Sequence, residues 1–169
     1  AALGAPVYGP SWPGGISFPP SHPLWKANLP TTASAMRTLL SDFDAVLIVG
    51  DNPFISYLYS EGSALPTDCR LYQITSDGSE AGRTYSTELA CIGSLKPSLR
   101  ALLPLLLQEM EKHREAVAAI FSIARTQRQA RLASLAERFA EQHGSVPISP
   151  FVAAGAVLNA LDEDVIVVD

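Results

Sequence analysis

The 169-residue sequence has little charge, few cysteines and no long apolar run. Two cysteines, Cys69 and Cys91, are too few for a disulfide framework or a four-ligand zinc site, which favours a reducing, cytoplasmic setting. Twelve basic residues stand against 17 acidic ones, and the resulting net charge of −5 argues against nucleic acid as the main partner. No apolar run approaches the roughly 20 residues that a membrane span needs, so no membrane contact is expected.

Proline is in excess, with 13 residues, and seven of them fall within the first 30 positions. Because proline removes a backbone donor and disfavours helix in the preceding residue, residues 9–29 are predicted to form a long irregular loop after a short strand at residues 5–8. Long loops in compact domains are often functional. His22 lies in this loop without a nearby partner, which favours a loop-structuring or packing role over catalysis.

The middle of the chain alternates strand and helix patterns, which predicts an α/β fold. The continuous apolar run at residues 45–49 is typical of a parallel strand buried on both faces. Residues 70–75 and 89–92 predict two further strands. Thr31 or Thr32 can cap a helix that ends near Leu40, and Asn52 and Pro53 predict a short helix through residue 59.

The second half is predicted to be mainly helical. Nearly all residues from 98 to 143 are good helix formers, with Pro104 expected to kink the helix. Such a helix is longer than a small sheet needs, so it is interpreted as a connector or a packing surface. A further helix at residues 151–161 and a strand at residues 164–169 repeat the α/β pattern.

The chain offers few patterns of catalytic residues. The strand before Gly50 is not followed by the glycines of a dinucleotide-binding loop, and the three histidines show no metal-ligand spacing. No serine lies in a nucleophile-elbow pattern. Cys69 and Cys91 lie at or in predicted strands and are expected to be buried, inert thiols.

Five groups of residues, taken in order, resemble the central domain of thiamine-diphosphate-dependent enzymes, most closely benzoylformate decarboxylase and related 2-keto acid decarboxylases or carboligases. They are GAPVY at residues 4–8, FPPSHP at 18–23, DAVLIVG at 44–50, the aromatics Phe54, Tyr57 and Tyr59, and RLYQITSD at 70–77. The tail from Ser149 to Asp169 resembles the beginning of the family's diphosphate-binding domain.

The resemblance implies a Rossmann-like parallel sheet with flanking helices, followed by a long connector helix. It implies that the chain is a fragment, with a partial central domain at residues 1–107, an interdomain helical linker at 108–147 and the start of a third domain at 148–169. The central domain's first strand and helix would be absent. The parent enzyme would use thiamine diphosphate and Mg²⁺, held by other domains of a homo-oligomer (a dimer or tetramer), whereas this fragment would hold no cofactor and would be inactive alone.

The resemblance also points to one candidate site residue. In benzoylformate decarboxylase the helix after the corresponding strand contributes an active-site histidine, and that position here is Tyr57. A tyrosine hydroxyl donates a hydrogen bond but is a poor proton shuttle at neutral pH, which leaves the exact 2-keto acid open. Ordinary packing beside Phe54 and Tyr59 is the alternative for Tyr57. Two alternatives remain for the function of the protein: an FAD-containing relative similar to acetolactate synthase, or a free-standing Rossmann-like nucleotide-binding or interaction module.

Overall fold

A computed structural model describes residues 2–15, 18–144 and 146–161 of the chain. It divides into two compact units, at residues 1–121 and 122–169. Its elements in chain order are β1 Val7–Gly9, β2 Trp25–Asn28, α1 Ala33–Leu40, β3 Ala45–Val49, β4 Arg70–Thr75, β5 Leu89–Ile92, α2 Leu95–Met110, a 3-10 turn Glu111–His113, α3 Arg114–Gln142 and α4 Pro150–Ala160.

The strand pairings among the described residues are parallel, which confirms the predicted α/β fold with a parallel sheet and flanking helices. β3, β4 and β5 form a three-stranded sheet in that order, and β1 pairs with β2 in a separate two-stranded sheet. The strand β2 lies inside the segment that was predicted to be an irregular loop. That prediction was wrong at Trp25–Asn28 because pairing with β1 holds this stretch extended.

One face of the larger sheet carries the core of the first unit. Thr32 caps α1 as predicted, and its side chain accepts a hydrogen bond from Ala35 N at 3.4 Å. Side chains of α1, β3, β4 and the adjoining loops then form one buried cluster. Its members are Leu29, Ala33, Met36, Leu40, Ile48, Phe54, Ala64 and Leu71.

The opposite face of β3 is open, which corrects the prediction that this strand is buried on both faces. Leu47 and Val49 are 44% and 47% exposed, whereas Ile48 is only 7% exposed. The strand lies at one edge of the three-stranded sheet, and α2 contacts the central strand β4. Uniform apolar composition therefore did not produce burial on both sides.

The helical second half is interrupted. α2 runs through Pro104 and ends at Met110, and the 3-10 turn separates it from α3. In the second unit, Ser149 caps α4 by accepting a hydrogen bond from Val152 N at 3.2 Å. Within the described ranges, no helix combines the length and the apolar character needed to cross a bilayer. The strand predicted at residues 164–169 lies outside the described residues.

Candidate functional site

The segment after β3, residues 52–60, contains the candidate residue Tyr57 and is not helical. Gly50 turns the chain out of the sheet with a φ of 112°, a conformation that favours glycine. Asn52 Oδ1 then accepts a hydrogen bond from Phe54 N at 3.0 Å, and Leu58 forms a parallel bridge with Thr32. The short helix predicted at residues 52–59 is therefore wrong, because these contacts hold the backbone in a non-helical course.

Ser11 supplies the contacts that replace helical hydrogen bonds. Its backbone N donates to Pro53 O at 3.1 Å, and its hydroxyl lies 3.1 Å from Pro53 O and 2.6 Å from Ile55 O. A helix would use these carbonyl oxygens to accept N–H groups four residues later. Ser11 binds them instead and joins the end of β1 to the segment after β3.

Tyr57 lies on the surface and is 52% exposed. Its ring meets Trp12 edge to face, with ring centroids 5.0 Å apart and an interplanar angle of 88°. The next tyrosine along, Tyr59, is 94% exposed. Among the residues that the structure describes, the Tyr57 ring contacts the Trp12 ring, whereas Phe54 pairs with Tyr85. Both the active-site role of Tyr57 and its packing alternative stay predictions.

Phe54 anchors the same segment to the core. It is 5% exposed and packs edge to face on Tyr85, with centroids 5.4 Å apart. Asn52 Nδ2 also donates to Thr84 Oγ1 at 3.0 Å. The segment is thus fixed at its beginning by the buried Phe54 ring and by the Asn52 side chain, and the exposed Tyr57 follows.

Polar groups collect at the carboxyl ends of β3 and β4, where open α/β sheets usually bind ligands. Thr75 is fully buried, and its hydroxyl lies 3.3 Å from Asp51 Oδ1. Asp77 Oδ1 accepts hydrogen bonds from Ser79 Oγ at 2.7 Å and Ser79 N at 2.8 Å. These hydrogen bonds, the side-chain one foremost, hold the pKa of Asp77 below its usual range.

The adjoining crevice is filled by the protein itself. The Gln73 side chain donates to Gly50 O at 3.3 Å and accepts from Gly82 N at 3.2 Å, which ties the 76–88 connection to the end of β3. The cavity beside it measures about 10 Å³, space for about one water. A wider concavity of about 440 Å³ is lined by the consecutive residues 111–116 around the 3-10 turn.

The crevice at Gln73 does not fit thiamine diphosphate, and the residues that the structure describes do not bring together a set of Mg²⁺ ligands. Ligand sites for molecules of drug size usually enclose roughly 300–1,000 Å³, far more than the crevice at Gln73. Among the residues that the structure describes, no three His, Cys, Asp or Glu side chains come together as a metal site.

The other residues singled out from the sequence make contacts of their own. The His22 ring packs on Phe18 and Phe121, and its Nδ1 accepts a hydrogen bond from Leu24 N at 3.1 Å, as expected of a loop-structuring residue. Cys69 is buried, as predicted, and burial, with a further contribution from Asp44, raises its pKa. Cys91 is exposed, which contradicts the prediction, because β5 lies at the edge of the sheet.

Sequence reasoning did not assign a role to Ser11 or Trp12. Ser11, like the other serines, lies in no nucleophile-elbow pattern, and Trp12 falls in the segment that was predicted to be an irregular loop. The available signal was their position between Pro10 and Pro13, which restricts the backbone on both sides of the pair.

In comparisons with known proteins, residues 1–102 match the model of the family "Thiamine pyrophosphate enzyme, central domain". A benzoylformate decarboxylase from Pseudomonas aeruginosa is 33% identical over 86 residues, which cover 51% of this chain and 16% of that protein.

Two solved structures are similar over 62% of this chain and 20% of their own. One is a putative thiamin diphosphate-dependent enzyme from Mycobacterium smegmatis, with 34% identity and a TM-score of 0.57. The other is a thiamine-diphosphate-dependent 4-hydroxybenzoylformate decarboxylase from Rhodococcus jostii RHA1, with 33% identity and a TM-score of 0.56. The chain thus spans a fifth or less of the length of these relatives.

The family match, the parallel sheet with its flanking helices and the similar solved structures agree with the resemblance carried by the sequence motifs. The chain belongs to the family of thiamine pyrophosphate enzyme central domains.

Proposed function

We propose that the chain is part of a thiamine-diphosphate- and Mg²⁺-dependent enzyme that decarboxylates an aromatic 2-keto acid resembling benzoylformate, or ligates its carbonyl carbon. The observation that carries the proposal is that this chain is 33% identical to a benzoylformate decarboxylase and, in a second comparison, 33% identical to a 4-hydroxybenzoylformate decarboxylase. In such an enzyme the cofactor supplies the carbanion chemistry, and the protein supplies binding and orientation.

The proposed role of this region is to scaffold the enzyme and to form one wall of its active-site cleft. The residues at the carboxyl end of the sheet enclose a cavity of only about 10 Å³, which supports a site for the cofactor elsewhere in the enzyme. We therefore propose that residues 1–169 alone are catalytically inert. Further domains of the same enzyme, and further copies of it in a homo-oligomer, are the proposed partners.

The proposed organisation places a partial central domain at residues 1–107, a helical linker at 108–147 and the start of the diphosphate-binding domain at 148–169. Its support is the family match over residues 1–102 and the long helix α3 that follows. Magnesium and diphosphate would be bound through a Gly-Asp-Gly motif followed by an asparagine, beyond residue 169.

Tyr57 is the proposed contribution of this region to the active-site wall. The side chain is half exposed and belongs to a segment anchored at Ser11 and Phe54, so its hydroxyl is available as a hydrogen-bond donor at a fixed place. The role we propose is orientation of the substrate rather than proton transfer, because a tyrosine is a poor proton shuttle at neutral pH.

The test begins with the coding sequence downstream of Asp169, which should encode Gly-Asp-Gly followed by an asparagine. The complete protein is then assayed for carbon dioxide release from benzoylformate and from pyruvate, with omission of thiamine diphosphate or Mg²⁺ as controls. We expect cofactor-dependent turnover with a preference for benzoylformate. Absence of the motif, or no decarboxylation and no carboligation of either acid, would refute the proposal.

A further inference from the structure

We propose that Ser11 and Trp12 are positioning residues for Tyr57, with Ser11 fixing the backbone of the segment and Trp12 fixing the ring. The functional part of this inference rests on the proposed active-site role of Tyr57. Its structural part rests on contacts between the end of β1 and residues 52–60.

Ser11 is held in a buried position and is 6% exposed. A buried hydroxyl is costly unless it makes hydrogen bonds, and this one has a single proton shared between two acceptors. The shorter contact, 2.6 Å, is to Ile55 O, two residues before Tyr57, and the other, 3.1 Å, is to Pro53 O. The Ser11 N–H also binds Pro53 O. The Ser11 contacts therefore fix the course of the backbone that leads into Tyr57.

Trp12 follows Ser11 directly in the chain, and its backbone has little conformational freedom. Pro10 and Pro13 have fixed φ angles, and the residue before a proline is restricted to extended conformations. The Trp12 side chain is 61% exposed and Tyr57 is 52% exposed, so burial in the core does not fix either ring. Their right-angled contact at 5.0 Å is the arrangement that aromatic pairs favour.

Tyr59 provides an internal comparison on the same segment. It is 94% exposed, and its ring packs on no other aromatic ring in the described part of the chain. Of the two tyrosines, Tyr57 is therefore the one whose ring is held in one orientation. Ser11 holds the backbone that leads to it, and Trp12 contacts its ring.

Fluorine NMR of residues 1–169 labelled with fluorotyrosine tests the structural part. Tyr57→Phe and Tyr59→Phe assign the two signals. We expect the Tyr57 signal to be displaced by the Trp12 ring and to move towards the Tyr59 position in Trp12→Leu. Ser11→Ala should move it in the same direction and broaden it, while Ser11→Thr, which keeps the hydroxyl, should restore it.

Ser41→Ala is the matched control, because Ser41 also donates a hydroxyl to a backbone carbonyl, Thr38 O at 2.7 Å, but at the end of α1. It should leave the Tyr57 signal unchanged. Circular dichroism checks that the Ser11→Ala variant folds. If that variant does not fold, the Tyr57 signal in Trp12→Leu decides whether the ring is positioned as proposed. A Tyr57 signal that is unaffected by Trp12→Leu would overturn the proposal, as would a folded Ser11→Ala without effect.

The functional part is tested in the complete enzyme by a double-mutant cycle on benzoylformate turnover. If Ser11 acts through Tyr57, Ser11→Ala lowers kcat by roughly tenfold to a hundredfold and adds nothing to Tyr57→Phe. Multiplicative effects of the two changes would contradict positioning through the Tyr57 hydroxyl. An enzyme that turns over no 2-keto acid would refute the proposed function instead, and the NMR result would still decide the positioning.

Discussion

The His22 imidazole packs edge to face on Phe121, with ring centroids 5.9 Å apart and an interplanar angle of 74°. Phe121 belongs to α3, so this contact joins the proline-rich loop to the first part of that helix within the first unit. This part of the helix, interpreted from the sequence as a connector or a packing surface, therefore packs on the loop of its own chain.

Replacing His22 with alanine should destabilise the first unit. The change removes the contacts of the imidazole ring with Phe18 and Phe121, and it removes the hydrogen-bond acceptor of Leu24 N. We therefore expect the free energy of unfolding to fall by about 1–3 kcal/mol. Urea denaturation followed by circular dichroism measures it. His113→Ala, at an exposed position, should change the free energy by less than about 0.5 kcal/mol, and equal losses in both variants would contradict the role of His22.

The two cysteines should differ sharply in reactivity. Cys69 is 6% exposed and has a raised pKa because of burial and the nearby Asp44, so little thiolate forms, whereas Cys91 is exposed. Brief treatment with iodoacetamide near neutral pH should label Cys91 first, as read from peptide masses. Cys91→Ser should abolish the fast labelling. Equal labelling of both cysteines in the folded protein would show that Cys69 is not protected.

Removing the Ser79 hydroxyl should raise the pKa of Asp77 towards its ordinary value, because the side-chain hydrogen bond is the largest cause of the depression. A carboxylate with a depressed pKa adds stability above its unfolded pKa of about 3.9 and loses it as the pH falls through the folded value. The stability lost in Ser79→Ala should therefore be seen near neutral pH and vanish in acid. Carbon NMR of the Asp77 carboxyl gives the pKa directly, with Ser76→Ala as the control; an unchanged Asp77 pKa in Ser79→Ala would contradict the assignment.

Close packing in the second unit depends on the absence of a side chain at Gly155 of α4. A Cβ at this position would lie 2.6 Å from Phe139 Cε2 and 2.9 Å from Cδ2. Alanine is the better helix former by about 1 kcal/mol, but the clash should outweigh this gain, with overpacking costing about 1–3 kcal/mol. Hydrogen exchange should show earlier opening of α4 in Gly155→Ala. Adding Phe139→Leu should relieve the clash; slower exchange in Gly155→Ala alone would contradict it.

The elements that the sequence predicted well are those determined by local pattern. The strands β3, β4 and β5 lie where their apolar runs indicated, and Thr32 caps α1 through its own side chain. The segment after β3 was mispredicted as a helix because Asn52 and Pro53 are also typical of a helix start. The partner that decides its course, Ser11, is 42 residues away from Pro53 in the chain.

The predictions that Cys91 and both faces of β3 are buried were wrong for a related reason. An apolar run indicates a strand but does not show whether that strand lies at the centre or at the edge of a sheet. Likewise, Tyr57 was singled out by its family position, while its contact with Trp12 depends on the pairing of the segments that follow β1 and β3, through Ser11 and Pro53.

Calorimetric titration of residues 1–169 with thiamine diphosphate and Mg²⁺, FAD, NAD and ADP tests most directly whether this region is a scaffold and active-site wall. The filled crevice at Gln73 leads us to expect no measurable binding of any of them. Micromolar binding of FAD, NAD or ADP would instead identify a nucleotide-binding module or a flavin-containing relative. Tight binding of thiamine diphosphate would contradict the proposal that the cofactor is held elsewhere in the enzyme.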